Sequence, residues 1–184
     1  MKTLLIGLGN PILCDDSVGW KVVQQVSKSL NNDQNLEGDP PVELEIDFLS
    51  LGGISLMERL IGADRAIVVD AIHTEGGIPG TVYRLTPDDL PSFNANAVHD
   101  ASFKAALELG RRLGAKLPEE IVIYAIEAEN LWEFGEWLTP AVQASVLPVA
   151  QAVYNELLNP THSLDGRQKY PPLPTMNLTQ LEGV

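Results

Sequence analysis

Residues 2–20 read KTLLIGLGNPILCDDSVGW, and this stretch decides the predicted fold. An apolar run at residues 4–6 breaks at a glycine-containing turn, and Asp15 and Asp16 then precede a helical pattern. A buried strand that ends in a glycine turn, with carboxylates at the entrance of the next helix, is how open α/β sheets build a site at the carboxyl ends of their strands. Asp16 is therefore the first active-site candidate.

The composition is typical of a single globular domain. A chain of 184 residues can bury one core and is short for two. No apolar run approaches the roughly 18 residues that cross a bilayer, and the amino terminus does not resemble a signal peptide. We expect a cytoplasmic protein with no membrane partner. Because Pro, Asn, Thr and Gly dominate from Pro160 onward, we expect one domain at residues 1–158 and an extended or disordered tail at residues 159–184.

Charge and cysteine content exclude several kinds of partner and site. The formal net charge of −13 argues against nucleic acid, because phosphate binding depends on clustered Lys and Arg. The single cysteine, Cys14, excludes an internal disulfide and a thiolate-rich zinc site. We interpret Cys14 as a small buried residue rather than a thiol nucleophile, because no nearby cation would lower its pKa.

The hydrophobic pattern predicts alternating strands and helices. Strands are expected at residues 4–6, 42–49, 66–69, 80–85 and 121–126, and helices at residues 16–30, 54–61, from just after residue 100 through 113, and 139–158. Alternating apolar and acidic residues predict an outer strand at 42–49, and a short connection favours an antiparallel strand at 80–85. The fold class is α/β, a three-layer α/β/α sandwich with a mixed, mostly parallel, twisted five-stranded sheet and one antiparallel strand.

Three titratable residues stand at strand ends or helix entrances: Asp16, Asp70 and His99. The carboxyl ends of the first, third and fifth strands should cluster, which brings these side chains together. Two carboxylates about 5 Å apart would repel by roughly 3 kcal/mol at an effective dielectric near 20, so the site favours a divalent metal. Two oxygens and one imidazole leave coordination positions open for water or substrate.

Each candidate also has a structural explanation. Asp16 can cap a helix, Asp70 can form a turn, and His99 can bond to the backbone at a helix entrance. We expect His73 to be a solvated loop residue rather than a spare ligand. Asp15 and Asp100 are interpreted as caps, or as acceptors that orient a ligand.

The glycines do not indicate a nucleotide site. The sequence GLG at residues 7–9 matches only the first half of the dinucleotide fingerprint, whose third glycine position holds Ile12.

Four segments together resemble the [NiFe]-hydrogenase maturation endopeptidases, which remove a C-terminal peptide from the hydrogenase large subunit after nickel insertion. They are GLGNPILCDDSVG at 7–19, IVVDA at 67–71, VHDASF at 98–103 and FGEWLTPAV at 134–142. The resemblance implies that Asp16, Asp70 and His99 match the nickel-contacting positions, the first of which is Glu in some members. It also implies that the large-subunit precursor is the partner and supplies the nickel, so that the isolated protein can be metal-free. Which carboxylate acts as a general base stays open.

Two other functions compete with this one. Peptidyl-tRNA hydrolases open with a similar GLGNP sequence, but they continue with a histidine-containing motif where this chain has DSVG, and they should be basic enough to hold RNA. A nickel-dependent docking module that binds the large subunit without cutting it is also compatible with the sequence. For the client hydrogenase, we expect some of the specificity to come from the loops at residues 76–79 and 90–97.

Overall fold

A computed structural model of the chain describes residues 1–32, 43–90, 100–158 and 170–172. The strands in these ranges are β1 (Lys2–Leu8), β2 (Glu43–Leu49), β3 (Arg65–Ile72), β4 (Val82–Leu85) and β5 (Glu120–Glu127). The α-helices are α1 (Val18–Asn32), α2 (Gly53–Leu60), α3 (Asp100–Arg112) and α4 (Pro140–Leu158), and short 3-10 turns occupy Cys14–Ser17 and Pro87–Asp89.

The strands form one sheet in the order β2-β1-β3-β5-β4. All neighbours pair in parallel except β4, which runs antiparallel to β5. The predicted mixed sheet with one antiparallel strand is therefore confirmed, and β2 lies at an edge as its alternating sequence indicated. Since β1, β3 and β5 are parallel neighbours, their carboxyl ends share one edge of the sheet, which we call the carboxyl edge.

Two hydrophobic cores lie on opposite faces of the sheet. Side chains from α2 and α3 pack on one face, and side chains from α1 and α4 pack on the other. Central strands contribute to both cores: Ala66 and Val68 of β3 face the first, and Ile67 and Val69 face the second. This alternation confirms the three-layer sandwich, because only a sheet covered on both faces buries consecutive side chains.

Several element boundaries differ from the predicted ones, and three of these differences concern the Asp16 turn, β3 and β4. Asp70 does not end its strand, because β3 continues to Ile72 and pairs with β5 along that length. The fourth strand begins at Val82 rather than at residue 80. Residues before the first helix form the 3-10 turn Cys14–Ser17, so Asp16 lies in that turn and not in α1.

A buried ionic network holds α4 against the sheet. The Arg65 side chain, 2% exposed, bridges Glu120 and Glu156, and Arg84 also pairs with Glu156. The Tyr124 hydroxyl donates to the same carboxylate at 3.0 Å. Burial opposes ionisation of Glu156, but bonds from Arg84 and Tyr124 outweigh it, and they hold the pKa of Glu156 below its ordinary value.

Within the predicted tail the structure describes residues 170–172. The ring of Tyr170 lies edge-on to Tyr124, with 5.9 Å between ring centroids, and packs against the α1 and α4 core. The division into a domain at residues 1–158 and a tail stays a prediction. None of the helices in the described ranges has the length and apolar character needed to cross a membrane.

Candidate active site

The turn that carries Asp16 is folded tightly over the carboxyl end of β1. Gly9 has a φ of +125°, and a side chain there would collide with the backbone oxygen of Asp16. A side chain at Gly19 would collide with the carbonyl oxygens of Leu8 and Val69. These glycines therefore let the start of α1 rest directly on β1 and β3, and this close approach is their role rather than nucleotide binding.

The half-buried Asp16 carboxylate is fixed by the turn before it. Its Oδ2 accepts a hydrogen bond from the backbone N–H of Asn10 at 2.7 Å. Asp70 lies one strand away, near the end of β3, is 7% exposed, and accepts a bond from Ala71 N–H through Oδ1 at 2.8 Å. Because the 3-10 turn contacts β3, the structure brings the elements that carry Asp16 and Asp70 together at the carboxyl edge.

His99 lies outside the described residues, immediately before α3 in the sequence. The segment after α3 is held at the amino ends of β3 and β5, opposite the carboxyl edge. There Gly62 N–H donates to Lys116 O, and Glu119 N–H donates to Asp64 O. The first residue of α3, Asp100, is therefore directed toward the carboxyl edge. The Asp100 side chain is outside the described set, so its capping role stays a prediction.

A metal site at this edge stays a prediction too. Over residues 1–32, 43–90, 100–158 and 170–172, no group of three or more His, Cys, Asp and Glu side chains is arranged to hold a metal ion. The predicted set includes His99, which is not among those residues, so this finding does not test it.

Asp15 has a role that the sequence did not reveal. Its side chain is fully buried, and its carboxylate accepts four hydrogen bonds from the connection between β5 and α4. The donors are Glu129 N–H, Asn130 N–H, Thr139 N–H and the Thr139 hydroxyl, at 2.7–3.0 Å. Asp15 thus attaches that connection to the Asp16 turn, which makes it a structural acceptor.

Glu127 is a second buried carboxylate at the carboxyl edge that sequence reasoning missed. It ends β5 with 1% exposure and accepts bonds from the N–H and hydroxyl of Thr74 at 2.6 and 2.8 Å. It therefore holds the loop that follows β3. Burial, followed by the negative charge of Glu127, raises the pKa of Tyr83 to about 12. A glutamate directly after the apolar run at residues 121–126 is the sequence signal for this role.

His73, in the same loop, was expected to be solvated, and the structure shows it only partly exposed. The ring is half-buried, with Nδ1 3.2 Å from the carbonyl oxygen of Ala128 and an edge-on contact to Trp132 at 5.4 Å.

Cys14 is buried, as predicted. Burial and then the charge of Asp15 raise the pKa of the Cys14 thiol, which disfavours the thiolate that a nucleophile requires. The carboxyl edge therefore offers carboxylates, and not an activated thiol, for chemistry.

Comparison with known proteins assigns the chain to a family. The family model described as hydrogenase maturation protease matches residues 39–156, a range that includes Asp70 and His99. The chain belongs to the hydrogenase maturation protease family. Members of this family are peptide-bond hydrolases, so the predicted enzyme class is confirmed.

Individual relatives agree with this family. The hydrogenase 2 maturation protease of Escherichia coli K12 is 26% identical over 155 residues, which cover 83% of this chain and 88% of that protein. The hydrogenase expression/formation protein HoxM of Azotobacter vinelandii is 27% identical over 148 residues, covering 79% of this chain and 67% of HoxM.

The fold agrees as well. The Escherichia coli hydrogenase maturating endopeptidase HybD superposes with a TM-score of 0.69 and 25% identity, over 88% of this chain and 94% of HybD. The Escherichia coli endopeptidase HycI, at 18% identity, matches with a TM-score of 0.58 over 85% of this chain and 92% of HycI, which shows the shared fold.

Proposed function

We propose that this chain removes the C-terminal extension of a [NiFe]-hydrogenase large-subunit precursor that already carries nickel. The observation that supports the proposal is the pair of aspartates at the carboxyl edge, in a chain that belongs to the maturation protease family. Asp16 is carried by the turn that follows β1, and Asp70 is carried by the neighbouring parallel strand β3. His99 directly precedes a helix whose first residue is directed toward the same edge.

In this proposal the nickel is part of the substrate. Carboxylate oxygens and imidazole nitrogen are ordinary ligands for divalent first-row metals, so Asp16, Asp70 and His99 would bind the precursor only where nickel is present. The metal would hold the scissile peptide bond near a polarised water or carbonyl. A precursor without nickel would lack this attachment and would be left uncut.

The hydrogen bonds of the two aspartates prepare the site for such binding. Asn10 N–H and Ala71 N–H each orient one carboxylate before the substrate arrives. Binding then requires little further ordering of these side chains, which lowers its entropic cost.

The test is to incubate purified protein with nickel-loaded precursor and to follow the precursor by mass spectrometry. We expect the wild-type protein to release a C-terminal fragment, and we expect Asp16→Asn, Asp70→Asn and His99→Gln each to slow the release by roughly two orders of magnitude or more. Full processing by all three variants would refute the assignment.

Matched controls use the same substitutions elsewhere. Asp88→Asn alters an exposed carboxylate within the 3-10 turn Pro87–Asp89, and His73→Gln alters the histidine that the described residues place near the carboxyl edge. Both should process the precursor at the wild-type rate. A loss of kcat with unchanged KM in His73→Gln alone would make His73 the ligand in place of His99, because a disturbed contact with Trp132 would change KM instead.

Precursor processing and a separate tRNA-binding measurement decide between the competing functions. An intact precursor that stays bound to the protein indicates a docking module, whereas a lost C-terminal fragment indicates a peptidase. Tight, salt-dependent binding of tRNA would restore the peptidyl-tRNA hydrolase alternative, which the acidic charge of −13 disfavours.

A further inference from the structure

The connection between β5 and α4, residues 128–139, exposes an unusual amount of aromatic surface. We call this connection the aromatic loop. Within six residues Trp132 is 70% exposed, Phe134 77% and Trp137 50%. Ile12, from the neighbouring Asp16 turn, is 51% exposed. Large apolar side chains grouped on a surface mark interaction sites, whereas single exposed ones are ordinary.

The aromatic loop is fixed in place despite this exposure. The buried Asp15 carboxylate binds both of its ends, through Glu129, Asn130 and Thr139. In its middle, Gly135 N–H donates to the carbonyl oxygen of Ile12 at 3.0 Å. The loop therefore presents its aromatic side chains from a rigid backbone, immediately beside the turn that carries Asp16.

The loops around this surface are acidic. The segments 9–17, 73–81 and 128–139 contain no Lys or Arg in the sequence. Four glutamates in these segments are exposed: Glu75, Glu129, Glu133 and Glu136. The surface thus combines apolar contact area with a negative potential, which attracts a positively charged polypeptide.

We infer that the aromatic loop is the docking surface for a segment of the precursor that is apolar and carries Lys or Arg. The inference rests on the proposed function, which places the precursor at Asp16, next to this loop. A second copy of this chain fits the surface poorly, because its own aromatic loop carries the same glutamates and the two surfaces would repel. Trp132 and Phe134 would supply most of the affinity, since exposed aromatic anchors on rigid backbones dominate interfaces.

The first experiment measures kcat and KM for precursor cleavage by Trp132→Ala and Phe134→Ala. We expect KM to rise roughly tenfold, with kcat changed less than about twofold, because these side chains bind substrate and touch no reacting atom. Leu113→Ala removes a side chain that is 75% exposed after α3 and serves as the matched control, with unchanged KM. The inference would be overturned if Trp132→Ala and Phe134→Ala had the same KM as Leu113→Ala and the wild-type protein.

The second experiment tests the charge. Glu129→Gln with Glu136→Gln should raise KM several-fold at low salt, and the difference should shrink as salt is added. The pair Glu108→Gln with Glu119→Gln changes the net charge equally at exposed sites on and after α3. An equal effect of the two pairs would show that net charge acts without a local docking surface.

A binding measurement separates failure of this inference from failure of the proposed function. Precursor is titrated into wild-type protein, Phe134→Ala and Leu113→Ala, and the dissociation constant is measured by calorimetry. If no fragment is released but Phe134→Ala alone binds weakly, the docking surface stands and the peptidase assignment falls. If the precursor is cut and Phe134→Ala binds like wild type, the docking inference falls alone. Self-association of the wild-type protein that Phe134→Ala abolishes would assign the surface to a second copy.

Discussion

Replacement of Asp15 by asparagine tests how the carboxyl edge is held together. Asn has almost the same shape as Asp but has one oxygen and an NH2 group in place of the second oxygen. In the structure Oδ2 accepts bonds from Glu129 N–H, Asn130 N–H and the Thr139 hydroxyl, and Oδ1 accepts from Thr139 N–H. The variant keeps at most one of these two sets.

The smaller loss occurs when the remaining oxygen takes the Oδ2 position. The NH2 group then faces Thr139 N–H, and this buried donor loses its partner. A lost hydrogen bond to a charged group costs about 1.5–3 kcal/mol, and the other three bonds weaken without the negative charge. We therefore expect Asp15→Asn to lower the free energy of unfolding by about 3 kcal/mol.

Urea unfolding followed by circular dichroism measures this change, and Asp89→Asn is the matched control. The exposed Asp89 carboxylate accepts two bonds from Thr86, at 2.7 Å each, so its replacement should cost about 1 kcal/mol or less. Hydrogen exchange locates the effect: amides at residues 129–139 should exchange faster in Asp15→Asn and at the wild-type rate in Asp89→Asn. A destabilisation below about 1 kcal/mol with unchanged exchange in this segment would refute the reasoning.

Other predictions concern the buried thiol, the glycine turns and the ionic network. Cys14→Ala should process the precursor at the wild-type rate, and iodoacetamide should label native Cys14 far more slowly than the urea-unfolded chain, since the thiol is buried with a raised pKa. Gly9→Ala should abolish processing because its Cβ would displace the Asp16 turn, whereas Gly76→Ala, also at positive φ but with open space, should retain it. The lowered pKa of Glu156 means that its ion pairs stabilise the fold above about pH 4.3 and are lost as pH falls through the lowered value. Urea unfolding of Glu156→Gln and wild type should therefore differ most at neutral pH and converge in acid.

The sequence predicted the architecture well because its strands have simple patterns. The run AIVV in β3 is apolar on both faces, which only a covered central strand explains, and the alternating β2 lies at the edge that its pattern indicated. The end of β3 was missed because Ala71 and Ile72 resemble a loop entrance when read without their partners on β5. Pairing with a neighbouring strand sets where a strand ends, and a single sequence does not contain that pairing.

The two adjacent aspartates in the Asp16 turn show a second limit of prediction from sequence, and its cause is physical. A 3-10 turn has three residues per turn, so successive side chains point about 120° apart, and one of two neighbouring aspartates turns inward. In this chain Asp15 is the inward one and Asp16 is half-buried. The hydrogen-bond partners that hold Asp15 in this inward orientation lie 114 to 124 residues away, all of them in the aromatic loop. Local sequence therefore identifies a pair of candidate acids, but only the packing of the aromatic loop determines which one is available to the substrate. It follows that a variant which loosens this loop should weaken both the fold and the definition of the site, even though it removes neither Asp16 nor Asp70.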